Sequence, residues 1–288
     1  MDDTEWLATR FEDTRAHLCG VAYRMLGSLT EADDAVQEAW LRLSRADVGQ
    51  VDNLTGWLTT VVARVSLDML RSRNARREES LDARLPDLIL GPDGPAPEDQ
   101  AVLADSLGLA LLVVLDTLTP AERVAFVLHD MFAVPFEEIA SIVDRSPIAA
   151  RQLASRARRR VRGAPVPDAD LDRQREVVGA FLAAARDGDF DALVATLHPD
   201  VLVRAETGAP QPVELRGARS AAQRAMLFAR YAEFARPILV NGAAGIIALS
   251  GGRPLSVMGF TVVAGQVVEI DILTSADRLR ELDLTNLD

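Results

Sequence analysis

The sequence predicts a multidomain protein in which two all-α helical domains, the second a helix-turn-helix, precede an α+β domain with a curved antiparallel sheet. Apolar residues recur at helical spacing through the first 163 positions. Alternating apolar segments typical of strands occupy residues 238–274. Two proline-bearing acidic segments divide these blocks. With 288 residues, 49% of them hydrophobic, the chain can fill a core in each domain.

Composition excludes several classes of protein. Cys19 is the single cysteine, so no internal disulfide can form, which predicts a reduced, cytoplasmic setting. The acidic start MDDTEW lacks the apolar segment of a secretory signal. The apolar run at 107–115 is far shorter than the roughly 20 residues that span a bilayer, so we expect no membrane contact. His17 and His129 show no metal-ligand spacing with Cys19, and we expect neither metal nor other cofactor.

Two segments mark the predicted domain boundaries. Residues 78–105 hold eight acidic residues and one arginine around GPDGPAPED, and proline and glycine at that density cannot continue a helix. This segment is therefore predicted to be an acidic linker. A second linker is predicted at 164–170, within GAPVPDAD. The predicted domains are residues 1–77, 106–163 and 171–288.

The first domain is predicted to be helical. Thr30 and Asp33 have the spacing of a capping box, and apolar residues then recur at helical spacing up to Leu43. A second stripe on this helix suits either water or a partner protein, and it comprises Asp34, Gln37, Glu38 and Leu41. The next helix, TGWLTTVVARVSLDMLRSR, places on its outer face Thr60, Arg64, Asp68 and Arg71.

The second domain is predicted to end in a helix-turn-helix. Thr119 caps a helix whose capping box is completed by Glu122. A short helix follows Pro135, and after a three-residue turn a last helix begins at Pro147.

This last helix concentrates positive charge. The stretch DRSPIAARQLASRARRRVR holds seven arginines and no acid after its first residue, in a chain whose net charge is −12. Its predicted buried stripe comprises Ala150, Leu153, Ala157 and Val161. Its predicted outer stripe comprises Arg151, Gln152, Ser155, Arg156 and Arg159.

Such a helix suits the major groove of DNA. Arginine pairs two donors with guanine acceptors, glutamine does the same for adenine, and further guanidiniums bind phosphates. The simpler alternative is a solvated charged surface. The lack of neighbouring acids and the helix-turn-helix setting favour DNA binding, while negative charge elsewhere discourages indiscriminate binding.

Three stretches together resemble the bacterial extracytoplasmic-function sigma factors of RNA polymerase. They are GSLTEADDAVQEAWLRL, NLTGWLTTVVARVSLDMLRSR with RRE after it, and LTPAERVAFVLHDMFAVPFEEIASIVDRSPIAARQLASRARRRV. The resemblance covers residues 6–162. It implies that residues 1–77 are sigma region 2, which reads the promoter −10 element, and that 106–163 are region 4, which reads the −35 element.

The resemblance also implies roles for particular residues. The coiled coil of the polymerase β′ subunit would contact the stripe of Asp34, Gln37, Glu38 and Leu41. A −10 base extruded from the stack would be captured by the 46–54 loop and its supporting helix, with Asn53, Trp57, Thr60, Arg64, Arg71 and Arg73 on the surface. The −35 major groove would be held by Arg151, Gln152, Ser155, Arg156 and Arg159. Polymerase supplies the catalysis, so we expect the chain not to be an enzyme.

The tail, residues 171–288, resembles the SnoaL-like cone fold that a subgroup of sigma factors carries. Its linker motif reads Arg84-Leu85-Pro86-Asp87-Leu88 where the subgroup has Trp-Leu-Pro-Glu-Pro, and its terminal motif reads Ser275-Ala276-Asp277-Arg278-Leu279 where the subgroup has Asn-Pro-Asp-Lys-Leu. The resemblance implies a module that modulates activity, through contact with the sigma domains or through an unknown small ligand.

Two other classes of function stay open at this point. A polymerase-independent helix-turn-helix regulator would use residues 106–163 alone. A SnoaL-like enzyme with a DNA-binding appendage would need a pocket acid or base, and the candidates are His198, Asp200 and Asp271. None of these forms a catalytic pair by its spacing, and HPD at a helix end commonly makes a turn.

Overall fold

The computed structural model describes residues 3–45, 53–77, 84–93, 108–163, 165, 167–209, 211, 213–227, 229–285 and 287. The chain divides into two compact units. The first unit comprises Met1–Ser80 and Leu112–Gly163, and the second comprises Leu81–Leu111 and Ala164–Asp288. The first predicted helical domain and residues 112–163 of the second therefore fall in one unit, whereas residues 106–111 and much of the predicted acidic linker fall in the other.

The first unit begins with three helices. They are α1 (Asp3–Leu26), α2 (Leu29–Leu43) and α3 (Leu54–Arg77). The core stripe predicted on α2 is buried at all its positions except Trp40, which is half-buried. The predicted capping box is wrong by two residues: Gly27 ends α1 with a positive φ, and the hydroxyl of Ser28 accepts from the backbone N–H of Glu31. Thr30 consequently lies inside the helix.

The predicted helix-turn-helix is confirmed. Its helices are α4 (Gly108–Asp116), α5 (Pro120–Phe126, continued by a π-helical turn at Val127–Met131), α6 (Phe136–Val143) and α7 (Pro147–Val161). Thr119 and Glu122 form the predicted capping box. Asp144 adopts the left-handed conformation at the end of α6, with φ of 55°, which turns the chain into α7.

The two helical segments of the first unit pack against each other through a buried cation. Arg123 of α5 is 2% exposed, and its guanidinium donates to Asp116 Oδ1 at 3.0 Å and to the carbonyl oxygen of Arg24 at 3.4 Å. Nearer the surface, Arg64 Nη2 of α3 donates to the hydroxyl of Ser141 on α6 at 3.4 Å. The outer face of α3 therefore meets the first helix of the helix-turn-helix.

The second unit is an α+β domain built on one seven-stranded sheet of order β1-β4-β5-β6-β7-β2-β3. The strands are β1 (Leu90–Gly91), β2 (Leu197–Glu206), β3 (Val213–Arg216), β4 (Ala235–Val240), β5 (Ala243–Ser250), β6 (Arg253–Val263) and β7 (Gln266–Leu273). The helices are α8 (Leu171–Asp187), α9 (Phe190–Thr196), α10 (Ala218–Leu227) and α11 (Ala276–Arg280). The sheet is antiparallel as predicted, except that β2 and β7 pair in parallel.

Helices α8, α9 and α10 cover one face of the sheet with an apolar core. Phe181 of α8 meets Phe260 of β6 with ring centroids 5.3 Å apart. Val203 and Ile270, paired across β2 and β7, belong to the same cluster. Because side chains alternate along a strand, the neighbouring residues Arg204 and Asp271 point to the opposite face.

Part of the predicted acidic linker belongs to the sheet. Leu90 pairs with Val240 as β1 joins the edge of β4, and the carbonyl oxygen of Ile89 accepts from the backbone N–H of Asn241 at 2.8 Å. Leu88, Ile89 and Leu90 are all buried. An apolar triplet inside an otherwise acidic segment therefore packs in the second unit. The prediction of a linker missed this triplet because it used the composition averaged over 28 residues.

None of the helices within these described ranges is both long enough and apolar enough to cross a membrane.

Candidate nucleic-acid interface

Helix α7 is built to lie close to its scaffold. The hydroxyl of Ser146 accepts from the backbone N–H of Ala149 at 3.3 Å, and Pro147 occupies the first turn, so the helix start is well defined. Its inner face is lined by the fully buried Ala150, Ala154 and Ala157. Leu153 and Val161, predicted to be buried, are half-buried. Small side chains carry the packing, because α5 and α6 approach too closely for large ones.

The outer face of α7 presents the predicted −35 residues to solvent. Arg151, Gln152, Ser155, Arg156 and Arg159 are all exposed. Across the part of the chain that the structure describes, none of these three arginines pairs with a carboxylate; Arg151 instead lies over the ring of Phe136, at 5.1 Å from its centroid. The guanidiniums on this face therefore retain donors for phosphates or base edges.

Other arginines of the same helix serve the scaffold. Arg158 Nε donates to Asp130 Oδ1 at 2.6 Å, and Arg160 Nη1 donates to Glu122 Oε2 at 3.1 Å. The arginine run that looked uniform in the sequence thus divides into an outer set without a carboxylate partner and a flanking set, the half-buried Arg158 and the exposed Arg160, each of which is paired with an acid. Helical spacing alone does not separate the two sets, because Arg158 lies seven residues after Arg151 and Arg160 lies four after Arg156. The acids that neutralise the second set come from distant sequence.

The predicted −10 surface lies along α3. Asn53 caps this helix, since its Oδ1 accepts from the N–H of Gly56 at 2.9 Å. Thr60 and Trp57 are half-buried, and Arg71 is exposed and 3.7 Å from Asp68. Residues 46–52 of the predicted base-capturing loop lie outside the described residues.

Arg73 differs from the other predicted −10 residues because it is bound within the unit. Its guanidinium donates to the carbonyl oxygen of Leu26 at 2.9 Å and forms an ion pair with Glu31, and the side chain is half-buried. Arg73 therefore ties α3 to α1 and α2. Sequence spacing could not reveal this contact, because Glu31 is 42 residues away.

A cleft of about 250 Å³ lies beside the start of α3. Asn53, Thr60, His17, Phe132 and Glu138 are among the residues that line it. The ring of His17 meets that of Phe132 edge-on, with centroids 5.3 Å apart. Burial, assisted by the charge of Arg24, lowers the pKa of His17. The position of His17 beside the −10 surface depends on how α1 packs against α3, so the spacing of His17 along the chain gave no signal for it.

The predicted polymerase-binding stripe lies on the surface of α2. Asp34, Gln37 and Leu41 are exposed and Glu38 is half-buried. Glu38 accepts from Arg42 Nε at 2.9 Å, and Gln37 donates to Asp33 Oδ2 at 2.9 Å. Leu41 leaves 44% of its surface in water. The stripe therefore combines anchored polar groups with one exposed leucine.

Two of the candidate catalytic residues of the second unit, His198 and Asp271, are held in structural contacts, whereas the third, Asp200, is exposed. His198 Nδ1 accepts from the backbone N–H of Asp200 at 3.2 Å, as in a local turn. Asp271 Oδ1 accepts from Arg204 Nε at 2.7 Å, and Glu269 Oε2 accepts from Arg204 Nη2 at 2.7 Å. Burial raises the pKa of Asp271 and of Glu269, against the opposing charge of Arg204. Among the described residues, no group of three or more acidic, histidine or cysteine side chains is placed to hold a metal ion.

A helix-turn-helix with an unpaired cationic outer face defines a DNA-binding protein of the kind that controls transcription. The family model "Sigma-70 region 2" matches residues 11–76, and "Sigma-70, region 4" matches residues 108–161. Because a relative named as an extracytoplasmic-function (ECF) sigma factor is 40% identical over 92% of this chain, the chain belongs to the ECF sigma factors of RNA polymerase.

Its relatives span nearly the whole chain. The ECF RNA polymerase sigma factor SigJ of Mycobacterium tuberculosis H37Rv is 40% identical over 275 residues, which cover 92% of this chain and 87% of SigJ. The probable sigma factor SigI of the same species is 34% identical over 279 residues, or 93% of each chain. The crystal structure of SigJ superposes with a TM-score of 0.78 at 35% identity, covering 96% of this chain and all of that one. The α+β unit is therefore included in the likeness.

Proposed function

We propose that this sigma factor holds the −35 element in the major groove with the outer face of α7. The observation that carries the proposal is that Arg151, Arg156 and Arg159 are exposed and unpaired among the described residues, while Arg158 and Arg160 on the same helix are neutralised. A helix that neutralises two of its arginines and leaves three exposed arginines without a carboxylate partner suits binding to an external polyanion such as DNA. Gln152 and Ser155 supply shorter donors and acceptors between them.

The first helical segment, residues 1–77, is proposed to engage the −10 element. Extruding a base from the stack takes a few kcal/mol, which pocket contacts and phosphate neutralisation must offset. Support comes from Arg64 and Arg71, which stay exposed beside their contacts with Ser141 and Asp68, and from Asn53 and Thr60 beside a cleft. Arg73 is left out of this surface because Glu31 already neutralises it.

The stripe on α2 is proposed to dock on the coiled coil of the polymerase β′ subunit. An exposed leucine flanked by acidic and amide groups has the composition of an interface in which an apolar anchor sits within a polar rim. This partner separates the proposal from that of a polymerase-independent helix-turn-helix regulator, which gives the stripe no role.

Reconstitution with core polymerase tests the proposal. The full-length chain is mixed with core RNA polymerase of the source organism, and the complex is isolated and used in run-off transcription of genomic DNA. We expect a stable complex and discrete transcripts that core polymerase alone does not make. Tight promoter binding by the isolated chain, with no complex and no new transcripts, would establish the polymerase-independent regulator instead.

The second unit is proposed to regulate transcription in the cytoplasm without catalysing a reaction. Support comes from the buried Asp271, which Arg204 holds, and from His198, whose Nδ1 accepts within a local turn. Cutting the chain near Pro167 and removing residues 168–288, with the uncovered Leu88, Ile89 and Leu90 replaced by serine, should alter the transcript profile of the reconstituted enzyme. Equal activity of cut and full-length protein at several promoters would remove the regulatory role, and turnover of a small molecule would restore the enzyme alternative.

A further inference from the structure

An exposed apolar side chain stands at the start of α7. Ile148, the second residue of the helix, is 68% exposed. The residues around it on the helix surface are polar or small. At this exposure the side chain of Ile148 adds nothing to the packing of α7. An apolar side chain also gains nothing from contact with water, so neither role explains an isoleucine at this position.

Ile148 lies on the same helix face as the proposed −35 residues. Counting from position 148, the exposed residues of this face follow at intervals of 3, 4, 7, 8 and 11, which is the spacing of one side of an α-helix. The stripe comprises Ile148, Arg151, Gln152, Ser155, Arg156 and Arg159. Ile148 is its N-terminal member.

The N-terminal end of a recognition helix is the end that contacts base edges. There the side chain of Ile148 is presented by a rigid start, since Pro147 restricts the backbone and Ser146 caps the following turn. Ala149 beside it is half-buried and short, so the backbone can approach the floor of the groove. The apolar group that the major groove offers is the 5-methyl of thymine.

We infer that Ile148 is a specificity-determining residue that packs on the 5-methyl group of a thymine in the −35 element. The inference rests on the proposed function of α7. A protein partner is a less suitable occupant, because the unpaired arginines that follow Ile148 would then have to be desolvated together, whereas phosphates flank every thymine and neutralise them.

The test removes the methyl group and the isoleucine separately and together. Promoters are first identified from the transcripts that the reconstituted polymerase makes in run-off transcription. In the promoter duplex, each thymine of the −35 element is then replaced in turn by deoxyuridine. Binding of the full-length chain in complex with core polymerase is then compared for the wild type, Ile148→Val and Ile148→Ala. At one position we expect deoxyuridine to weaken wild-type binding about fourfold, the effect of one buried methyl. Ile148→Ala should be weakened by about as much or more on thymine and should be insensitive to deoxyuridine, with Ile148→Val between.

Two control substitutions distinguish the role inferred for Ile148 from the proposed binding of the −35 element by α7. Leu227→Ala removes a side chain of matched exposure, 69%, from the other unit and should change nothing. Arg156→Ala should weaken binding to all promoters if α7 contacts DNA at all. The inference is overturned, with the proposed function intact, if Arg156→Ala weakens binding but no deoxyuridine does, or if Ile148→Ala keeps the deoxyuridine effect. Weaker binding of Ile148→Ala to core polymerase without DNA would reassign the residue to a protein contact.

Discussion

The guanidinium of Arg278 and the carboxylate of Glu206 form a buried ion pair, with Nη1 3.2 Å from Oε1. Glu206 also accepts from the backbone N–H of Leu85 at 2.8 Å, while Arg278 donates to the carbonyl oxygen of Leu85 at 3.2 Å and to Asp87 Oδ1 at 3.0 Å. The altered linker motif and the altered terminal motif therefore meet each other within the second unit, through the end of β2.

Arg278→Ala should destabilise the second unit by about 3–5 kcal/mol, because Glu206 would remain buried without its cation. Unfolding in urea followed by circular dichroism measures the effect. All three tryptophans, Trp6, Trp40 and Trp57, lie in the first unit, so fluorescence follows the unfolding of that unit. Arg280→Ala removes an exposed cation from the same helix and should lower stability by less than about 1 kcal/mol. Equal losses of unfolding free energy for Arg278→Ala and Arg280→Ala would show that the buried ion pair does not stabilise the second unit.

Arg159→Ala should weaken promoter binding and make the slope of log affinity against log salt shallower by about 0.9, the contribution of one phosphate contact. The measurement is a salt titration of the polymerase complex on a promoter duplex. Arg158→Ala is the matched control, since Asp130 already neutralises that guanidinium, and its slope should match the wild type. An unchanged slope for Arg159→Ala would remove Arg159 from the interface.

Leu41→Asp should weaken binding to core polymerase at least about tenfold, because it places an extra charge at the apolar position of the docking stripe. Pull-down with immobilised core enzyme, at a series of concentrations, gives the affinity. Leu255→Asp makes the same change at a leucine that is 37% exposed in the second unit, and its affinity should stay at the wild-type value. Wild-type affinity of Leu41→Asp would show that polymerase binds elsewhere.

The first unit should lose stability as the pH falls through the range in which free histidine titrates. Burial depresses the pKa of His17 in the folded chain, so the unfolded chain binds this proton more readily. The stability that the neutral His17 contributes is fully present above the pKa of His17 in the unfolded chain. It is lost as the pH falls through the pKa of His17 in the folded chain. Arg24 opposes protonation, and Glu138 is the one acid among the described residues that line the cleft. Tryptophan fluorescence in urea at several pH values, with His17→Gln, measures the effect, and an identical pH dependence of both proteins contradicts it.

Much of the fold follows from local sequence. Periodicity predicted α2, α3 and α7, and the Thr119 box and the Asp144 turn follow from residues within three positions of each other. The outer stripe of α7 was predictable for the same reason, since a helix places residues three and four apart on one face. Each of these features depends on contacts within a few turns of chain.

Contacts between distant residues were decided only by the tertiary structure. Glu31 neutralises Arg73, Asp130 neutralises Arg158, and Arg204 holds Asp271, across 28 to 67 residues. The parallel pairing of β2 with β7 and the addition of Leu90 to the sheet edge are likewise long-range. The local sequence around a charged residue or an apolar triplet is the same whether the side chain is exposed to water or contacts another part of the chain. Which of the two it meets depends on how the chain folds back, and that is a property of the packed molecule.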